Sequence, residues 1–340
     1  MAKVALVKSG NRFEAFRRKL KKHNCDTVII DFNDFQWTEH SLADVDFLIF
    51  FPTFESSSNR PDSLSRVKHN IMHLHRMYPT LAMFPDPNVI PFYNDKYAQY
   101  LFLSSSGLPM PRTLAVDSEQ SISSVSEIIG YPCVVKNRYG AGGDYVFKVE
   151  DENALRGLFD YSRLRFSSRK SIALLFSNFV SRKFCRAAFG SREAAYPFIS
   201  FPLLAQKFIP HIKDLKIVVG DEAAVEGHWR KQANRHSWKM NIDGGGVGEW
   251  SFVPENVKSL SVKLAKSLNA KWLNVDFMFD NDTALISEFS PVWHHYALHE
   301  KADFVYGNDY NFPFSVDAAA DLEEMIVSSY LRDARATNAH

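Results

Sequence analysis

The sequence predicts a mixed α/β and α+β protein, and three observations support that class. The first ninety residues alternate short β-rich runs with helical patterns, which is typical of βαβ units around a small parallel sheet. From residue 203 onward, short apolar runs separated by tight turns indicate antiparallel hairpins. The chain has 340 residues, more than one hydrophobic core usually serves, so we expect two or three subdomains.

The first predicted domain covers residues 1–91 and contains a small Rossmann-like parallel sheet. Its expected strands lie at 4–7, 27–31 and 46–51, and its expected helices at 12–23 and 63–77. The first helix places Phe13, Phe16 and Leu20 on one face, and we expect its basic opposite face to be solvated. A proline-dense passage follows and predicts an interdomain connector that ends near Pro91.

The second predicted domain covers residues 92–202, and the third covers residues 203–340. In the second, we expect helices at 94–105, 121–129 and 152–161, and strands at 131–136 and 145–149 around a glycine-bearing turn. The segment 162–196 fits no pattern, and we expect it to influence substrate choice. In the third, we expect strands at 203–209, 215–219, 223–230, 272–279 and 284–289, a helix at 256–268 and a C-terminal helix.

Composition excludes several classes of protein. The net charge is +1, so no overall field favours nucleic acid or an anionic membrane surface. Three widely spaced cysteines without a C-x-x-C pattern favour neither a disulfide framework nor a structural zinc site. No run of about eighteen apolar residues is present, and no signal peptide is recognisable. We therefore expect a cytoplasmic protein without nucleic-acid or membrane partners.

Lys136 ends an apolar strand and precedes a loop that contains Gly140, Gly142 and Gly143. A cation beside glycines, whose backbone N–H groups approach an anion freely, indicates a phosphate site. A strand follows this loop, whereas the P-loop and the dinucleotide fingerprint both open a helix, so those two nucleotide folds are disfavoured. A plain glycine hairpin is an equally good interpretation of this motif alone.

Asp276 and Glu288 lie on two consecutive predicted strands that a tight turn connects. On an antiparallel pair the two carboxylates can face each other, and unpaired they would repel. A divalent metal removes that repulsion, and Mg²⁺ typically takes one or two carboxylates together with nucleotide phosphates. The alternative is that one of the two is a surface or salt-bridged acid.

Seven short motifs occur in order along the chain. They are Asn94-Asp-Lys96, the strand ending at Lys136, residues 204–210, Asp214-Leu-Lys216, Arg230 with residues 238–246, Val275-Asp276-Phe, and Glu288-Phe-Ser290-Pro. In this order they resemble the ATP-grasp enzymes, most of all the glutathione-synthetase and RimK-type carboxylate–amine ligases. The resemblance covers roughly residues 90–300. It implies two α+β lobes that clasp ATP, preceded by the small parallel βαβ domain.

The resemblance also implies a role for each motif residue. The catalytic group would comprise Arg230, Lys216 and Asn241. ATP would be bound by Lys96, Lys136, Gly140, Gly142, Gly143, Gln206, Lys207, Phe208, Ile209 and Asp214. The metal would be held by Asp276, Glu288 and Ser290. The cofactors would be ATP and Mg²⁺, with Mn²⁺ as a substitute.

Two residues depart from the family pattern. Ser290 stands where the family has a metal-binding asparagine, and its shorter hydroxyl favours one-metal chemistry or a second ion held through water. Lys216 stands where the family has arginine, so the charge is kept but the planar bidentate fork is lost.

The expected function is an ATP-dependent ligase of biosynthesis. It would activate a carboxylate as an acyl phosphate and couple it to an amine, with release of ADP and phosphate. Two alternatives stay open: a phosphotransferase acting on a small-molecule alcohol, and a nucleotide-binding protein without catalysis. The expected partners are small-molecule carboxylate and amine substrates, and a homodimer is compatible with the family.

Overall fold

The computed structural model describes most of the chain. The described residues are 1–8, 12–51, 61–140, 145–163, 202–232, 238, 240, 247–249, 253–292, 304–306, 313–315 and 321–337. Asn241, Gly142, Gly143 and nearly all of the segment 162–196 lie outside them. No helix of this described part is long and apolar enough to cross a membrane.

The first sheet is parallel, as predicted, and has four strands in the order β2-β1-β3-β4. Its elements, in chain order, are β1 (Lys3–Val7), α1 (Arg12–Lys22), β2 (Asp26–Ile30), β3 (Phe47–Ile49), α2 (Pro61–Met77) and β4 (Ala82–Phe84). Both faces of the sheet are buried. Leu6 packs in a cluster with α1, and Val7 packs in a second cluster with α2, as parallel sheets require.

The interpretation of residues 79–91 as a connector was incomplete. Strand β4 lies inside this proline-dense passage and pairs in parallel with β3. Met83 and Phe84 are buried, and Pro85 follows the last paired residue, where no further ladder hydrogen bond is needed. A strand of three residues is too short to show the two-residue alternation by which a strand is recognised in a sequence. The prolines therefore indicated where this strand ends but not that it is present.

The second sheet has the order β5-β8-β6-β7 and is antiparallel throughout. The chain enters it through a 3-10 helix (Pro87–Phe92) and continues as α3 (Lys96–Ser106), β5 (Thr113–Val116), α4 (Glu119–Ile128), β6 (Cys133–Lys136), β7 (Val146–Val149), α5 (Glu152–Ser162) and β8 (Leu203–Lys207). Apolar residues of α4 and α5, including Val125 and Leu155, pack with Val135 of β6. Strand β5 was not predicted.

The third sheet has the order β11-β10-β9-β12-β13 and is also antiparallel. Its elements are β9 (Lys213–Gly220), β10 (Ala223–Lys231), β11 (Val247–Glu249), α6 (Glu255–Ser267), β12 (Trp272–Asp280) and β13 (Thr283–Ser290). A short hairpin of β14 (Phe304–Tyr306) and β15 (Pro313–Ser315) follows, and then α7 (Leu322–Thr337).

The two faces of the third sheet differ in chemistry. Leu215, Ile217 and Val275 belong to a core that α6 covers. Because side chains alternate along a strand, Lys216 and Asp276, which are neighbours in the ladder, point to the opposite face. This polar face carries the candidate site.

Helix α7 returns to the beginning of the chain and packs against α1. Glu323 pairs with Arg12, and Glu324 lies 3.2 Å from Lys22 and 2.6 Å from the Nε2 atom of His23. The expectation that the basic face of α1 is simply solvated was therefore wrong, because acidic residues of α7 meet part of it. The domain boundaries at residues 91 and 202 stay a prediction.

Candidate functional site

A cleft lies between the second and third sheets, beside helix α3. Its empty volume, which is open to solvent, is about 370 Å³. Among the described residues it is lined by Lys96, Gln99, Tyr100, Leu103, Met110, Thr113, Lys136, Leu204, Gln206, Ile286 and Ser287. Three residues that the sequence singled out, Lys96, Lys136 and Gln206, thus converge on one cleft from three different elements.

The position of Lys96 is fixed by the start of α3. Asp95 is the N-cap, and its Oδ1 accepts hydrogen bonds from the backbone N–H groups of Tyr97 and Ala98, both at 3.1 Å. Lys96 is the first helical residue. Its ammonium donates to the carbonyl oxygen of Gly140 and lies 3.9 Å from Oε1 of Glu288. One lysine therefore links the root of the glycine loop to a predicted metal ligand.

The root of the glycine loop is attached to α3 by several bonds. Arg138 donates to both carboxylate oxygens of Asp95, with Nη2 at 2.7 Å from Oδ2 and Nε at 3.0 Å from Oδ1. The backbone N–H of Lys96 donates to the carbonyl of Arg138 at 2.9 Å, and that of Gly140 donates to Oδ1 of Asn94 at 3.2 Å. Gly140 has a φ of +144°, which a side chain would disfavour.

Lys136 ends β6 and faces the cleft without a direct partner. It makes no hydrogen bond or ion pair with any residue that the structure describes. Burial lowers the pKa of its ammonium to about 8, and the nearby carboxylate of Glu288 offsets this only in part. A partly desolvated cation of this kind is suited to an anionic ligand such as a phosphate.

Four charged side chains form a compact network on the polar face of the third sheet. Arg230 donates to both oxygens of Asp214, from Nε to Oδ1 and from Nη2 to Oδ2, each at 2.8 Å. The same Nη2 donates to Oδ2 of Asp276 at 3.0 Å. Lys216 places its ammonium 2.9 Å from Oδ1 of Asp276. Two cations and two carboxylates therefore alternate.

The network controls the protonation of its members. Burial alone would raise the pKa of Asp276, but Lys216 and Arg230 outweigh it and hold that pKa well below its ordinary value. Burial alone would lower the pKa of Arg230, and Asp214 and Asp276 instead raise it. Burial raises the pKa of Asp214 despite its bonds to Arg230. Asp276 is thus an anion and Arg230 a cation at any ordinary pH.

Two of these pairs bear on the sequence analysis. The alternative that one of the two acids is salt-bridged holds for Asp276, because Lys216 and Arg230 both bind it. Both carboxylate oxygens of Asp214 are bound by Arg230, and its role at ATP stays a prediction. Sequence order separates these residues by many positions, so only the register of β9, β10 and β12 reveals the pairs.

The two predicted metal carboxylates do face each other. Asp276 of β12 and Glu288 of β13 are direct partners in the antiparallel ladder. Ser290 lies one pair further along, opposite Asn274, and its hydroxyl oxygen accepts a hydrogen bond from the backbone N–H of Val292 at 3.3 Å. A pair of carboxylates flanked by neutral oxygens fits a hard divalent cation such as Mg²⁺.

Asn274 is a site residue that the sequence analysis missed. It is buried, with 1% of its surface exposed, and its Nδ2 donates to Oδ1 of Asp276 at 2.9 Å. Side chains two residues apart on a strand lie on the same face. The sequence could therefore have indicated Asn274, because it stands two residues before the predicted metal ligand Asp276.

The residues expected at the adenine lie at the end of β8. Gln206 is buried, and its side-chain Nε2 donates to Oγ1 of Thr113 at 3.0 Å. Lys207 is exposed and pairs with Asp280 at 3.2 Å. Phe208 lies under the ammonium of Lys148, 4.6 Å from the ring centre, and Ile209 is buried.

Comparison with known proteins identifies two family models that match the chain. A model described as an ATP-grasp domain matches residues 93–185, and a model described as a RimK-like ATP-grasp domain matches residues 193–292. The chain is similar to the α-aminoadipate–LysW ligase LysX of Sulfurisphaera tokodaii, with 24% identity over 186 residues that cover 54% of each protein. It spans about half the length, or less, of several curated relatives that it matches.

Solved structures with the same architecture include two ligases. A D-alanine–D-alanine ligase from Bacillus anthracis in complex with ATP superposes with a TM-score of 0.59 at 14% identity, covering 99% of this chain and 100% of that one. The ATP-grasp ligase PsnB in complex with precursor, Mg and ADP gives a TM-score of 0.58 at 13% identity, covering 98% of both chains. At these identities the likeness concerns the fold alone.

Proposed function

This chain belongs to the ATP-grasp superfamily, and from that premise we propose that it is an ATP-dependent ligase that joins a carboxylate to an amine. The predicted fold of two lobes behind a parallel domain is confirmed. One observation carries the proposal: Lys96 lies 3.9 Å from Glu288, Lys136 lines the same cleft as Lys96, and Glu288 is the ladder partner of Asp276. Cations and carboxylates in that arrangement suit a metal-bound triphosphate.

In this proposal the nucleotide lies between the two sheets. The backbone of Gln206, Lys207, Phe208 and Ile209 borders the adenine. Lys96, Lys136 and the glycine loop hold the phosphates. The ammonium of Lys136 supports this placement because it has no hydrogen-bond or ion-pair partner among the described residues. Binding phosphate would therefore break no such bond there, and the negative charge of the phosphates would raise the lowered pKa of the lysine again.

Asp276, Glu288 and an oxygen at Ser290 would hold Mg²⁺, or Mn²⁺ in its place. When bound, the ion would supply positive charge beside the transferred phosphoryl group. In the metal-free protein Lys216 and Arg230 compensate the charge of Asp276. Glu288 is more exposed than Asp276, with 36% against 14% of the side chain accessible, so it is the more approachable of the two carboxylates.

The reaction would begin with attack of a substrate carboxylate oxygen on the γ-phosphorus of ATP. A new O–P bond forms, the bond to the bridging oxygen breaks, and ADP leaves with that electron pair. An amine nitrogen then attacks the acyl phosphate, phosphate leaves, and the nitrogen loses a proton. Arg230 would stabilise the negative oxygen that develops at the acyl carbon, with Lys216 and Asn241 positioning the substrate.

The test is ADP release from ATP and Mg²⁺ in the presence of a panel of amino acids, with product analysis by mass spectrometry. Amide formation together with ADP release supports the ligase. Phosphorylated alcohol without amide would identify a phosphotransferase, and nucleotide binding without turnover would identify a binding protein. Glu288→Gln should lower turnover at least about 100-fold by removing a charged metal ligand. Glu255→Gln, a change at an exposed acid on α6, is the matched control.

A further inference from the structure

In the side-chain amide of Asn274, the nitrogen has a hydrogen-bond partner and the oxygen has none among the described residues. Its Nδ2 donates to Oδ1 of Asp276 at 2.9 Å, while its Oδ1 is buried and accepts no hydrogen bond from any residue of the described part of the chain. A buried amide oxygen without a partner is unfavourable, because it has lost water and gained nothing. Such a group calls for a missing partner, either a water molecule or an ion.

The orientation of this amide follows from its neighbour. Each carboxylate oxygen of Asp276 is bound by a cation, Oδ1 by Lys216 and Oδ2 by Arg230, and carboxylate oxygens only accept hydrogen bonds. Rotating the amide by half a turn would place its oxygen against a carboxylate oxygen and lose the bond. The NH₂ group therefore stays on Asp276, and the amide oxygen stays the unsatisfied end.

The oxygen lies among the residues that would hold a cation. Asn274 and Asp276 are two positions apart on β12 and share a face, and their ladder partners on β13 are Ser290 and Glu288. Directly opposite side chains in an antiparallel pair have Cβ atoms about 4.5–5.5 Å apart. One small patch thus contains two carboxylates, one hydroxyl and one amide oxygen.

The hydroxyl of Ser290 is the weaker of the two neutral donors. Its oxygen already accepts a hydrogen bond from the backbone of Val292, and its side chain is one atom shorter than that of asparagine. The amide oxygen of Asn274 has no such competing bond in the described structure. Amide carbonyl oxygens are ordinary ligands of hard divalent cations.

We propose that Oδ1 of Asn274 is a ligand of the divalent cation held by Asp276 and Glu288. This inference rests on the proposed function, since it requires that the cleft bind a metal–nucleotide complex. Asn274 then has two tasks: its NH₂ group orients Asp276, and its oxygen completes the ligand set from the same strand.

The experiment is a titration of the protein with Mn²⁺ in the presence of a non-hydrolysable ATP analogue, with free Mn²⁺ read by electron paramagnetic resonance. This readout does not depend on turnover. Asn274→Ala should weaken Mn²⁺ binding at least about tenfold, and Ser290→Ala should weaken it much less.

The outcomes separate the alternatives. If Asn274→Ala binds Mn²⁺ as tightly as the wild-type protein, Asn274 is not a ligand. If Ser290→Ala is the more damaging change, Ser290 is the ligand. Either result overturns the inference while leaving the proposed function intact. If the wild-type protein takes up no Mn²⁺ with the nucleotide analogue, the proposed function fails and this inference fails with it.

A second variant guards against loss of folding in N274A. Asn274→Asp has nearly the same size and offers an oxygen at the same place, but it donates no hydrogen bond to Asp276. If residue 274 is a ligand, the variant N274D should bind Mn²⁺ at least as tightly as the wild-type protein. A purely orienting role predicts weaker binding, because two adjacent carboxylates would repel and Asp276 would turn away.

Discussion

Nη2 of Arg230 lies 3.0 Å from Oδ2 of Asp276 and donates a hydrogen bond to it. The cation proposed to stabilise the developing oxyanion is therefore bound to a proposed metal ligand. We therefore expect a change at either residue to affect both substrate activation and metal binding.

Arg230→Lys should lower kcat by about 100-fold while leaving the free energy of unfolding within about 1 kcal/mol of wild type. Lysine keeps the positive charge between Asp214 and Asp276 but loses the planar fork that now makes three hydrogen bonds. Steady-state kinetics and urea denaturation check the two parts. A kcat equal to that of wild type would contradict the role given to the guanidinium.

Lys216→Met should destabilise the metal-free protein by about 2 kcal/mol, because it removes a charged hydrogen bond from the buried carboxylate of Asp276. Addition of Mg²⁺ and nucleotide should narrow the difference, since a cation then replaces the ammonium. Thermal unfolding with and without these ligands measures both effects. Lys207→Met is the control: Lys207 forms an exposed pair with Asp280, and its loss should change the free energy by about 0.5 kcal/mol at most.

Nucleotide affinity should fall as the pH rises above about 8, because Lys136 then loses its proton in the free protein. The protonated form binds phosphate, so the loss should approach about tenfold per pH unit until the bound lysine also titrates. Calorimetric titration with an ATP analogue between roughly pH 7.5 and 9.5 tests this. Lys136→Arg stays charged over this range and should give a flat profile; an equally steep profile in that variant would assign the titration to another group.

Arg138→Gln should raise the KM for ATP and lower the free energy of unfolding by about 1.5–3 kcal/mol, because Asp95 loses its bidentate partner. Asp95 still caps α3, so the helix should persist in circular dichroism. Arg156→Gln removes an arginine that pairs with Glu119 and Glu152 at the surface of α4 and α5. This control should leave KM unchanged and cost about 1 kcal/mol or less.

Asp86→Asn should stabilise the protein at pH 8 but have little effect at about pH 4. Burial raises the pKa of Asp86 from its ordinary 3.8 to about 6, although backbone N–H groups of Lys271 and Trp272 donate to it. A raised carboxyl pKa gives stability that is complete below about pH 4 and is lost as the pH rises through about 6. Asparagine keeps the acceptor oxygen and avoids the buried charge. The unfolding midpoints of the wild-type protein and of Asp86→Asn, measured from pH 4 to pH 8, should become equal at the acid end of this range. A constant difference over the whole range would contradict the raised pKa of Asp86.

The sequence was informative where a strand is long. Strands β9, β10, β12 and β13 have eight or nine residues, and each begins and ends within two residues of its predicted bounds. Strands β4 and β5, with three and four residues, are too short to display a period and were missed.

The contacts of the site could not be predicted in the same way. The bonds of Asp276 to Lys216 and Arg230 depend on the register of three strands, and those of α1 to α7 join residues about three hundred positions apart. The motifs selected candidate residues for the site, and their pairing and burial are visible only in the structure. Asn274 is the clearest example, because only the folded structure shows that its Oδ1 atom is buried and accepts no hydrogen bond from the described residues.

The packing of α7 on α1 has a consequence for biosynthesis. Phe16 and Leu20 of the first helix share a core with Ile326, Tyr330 and Leu331 of the last one. At roughly 5–20 residues per second, a ribosome synthesises these two helices about 15–60 s apart, so part of the apolar surface of the nascent amino-terminal domain stays uncovered until α7 has been made. Chaperone demand should accordingly peak late in synthesis.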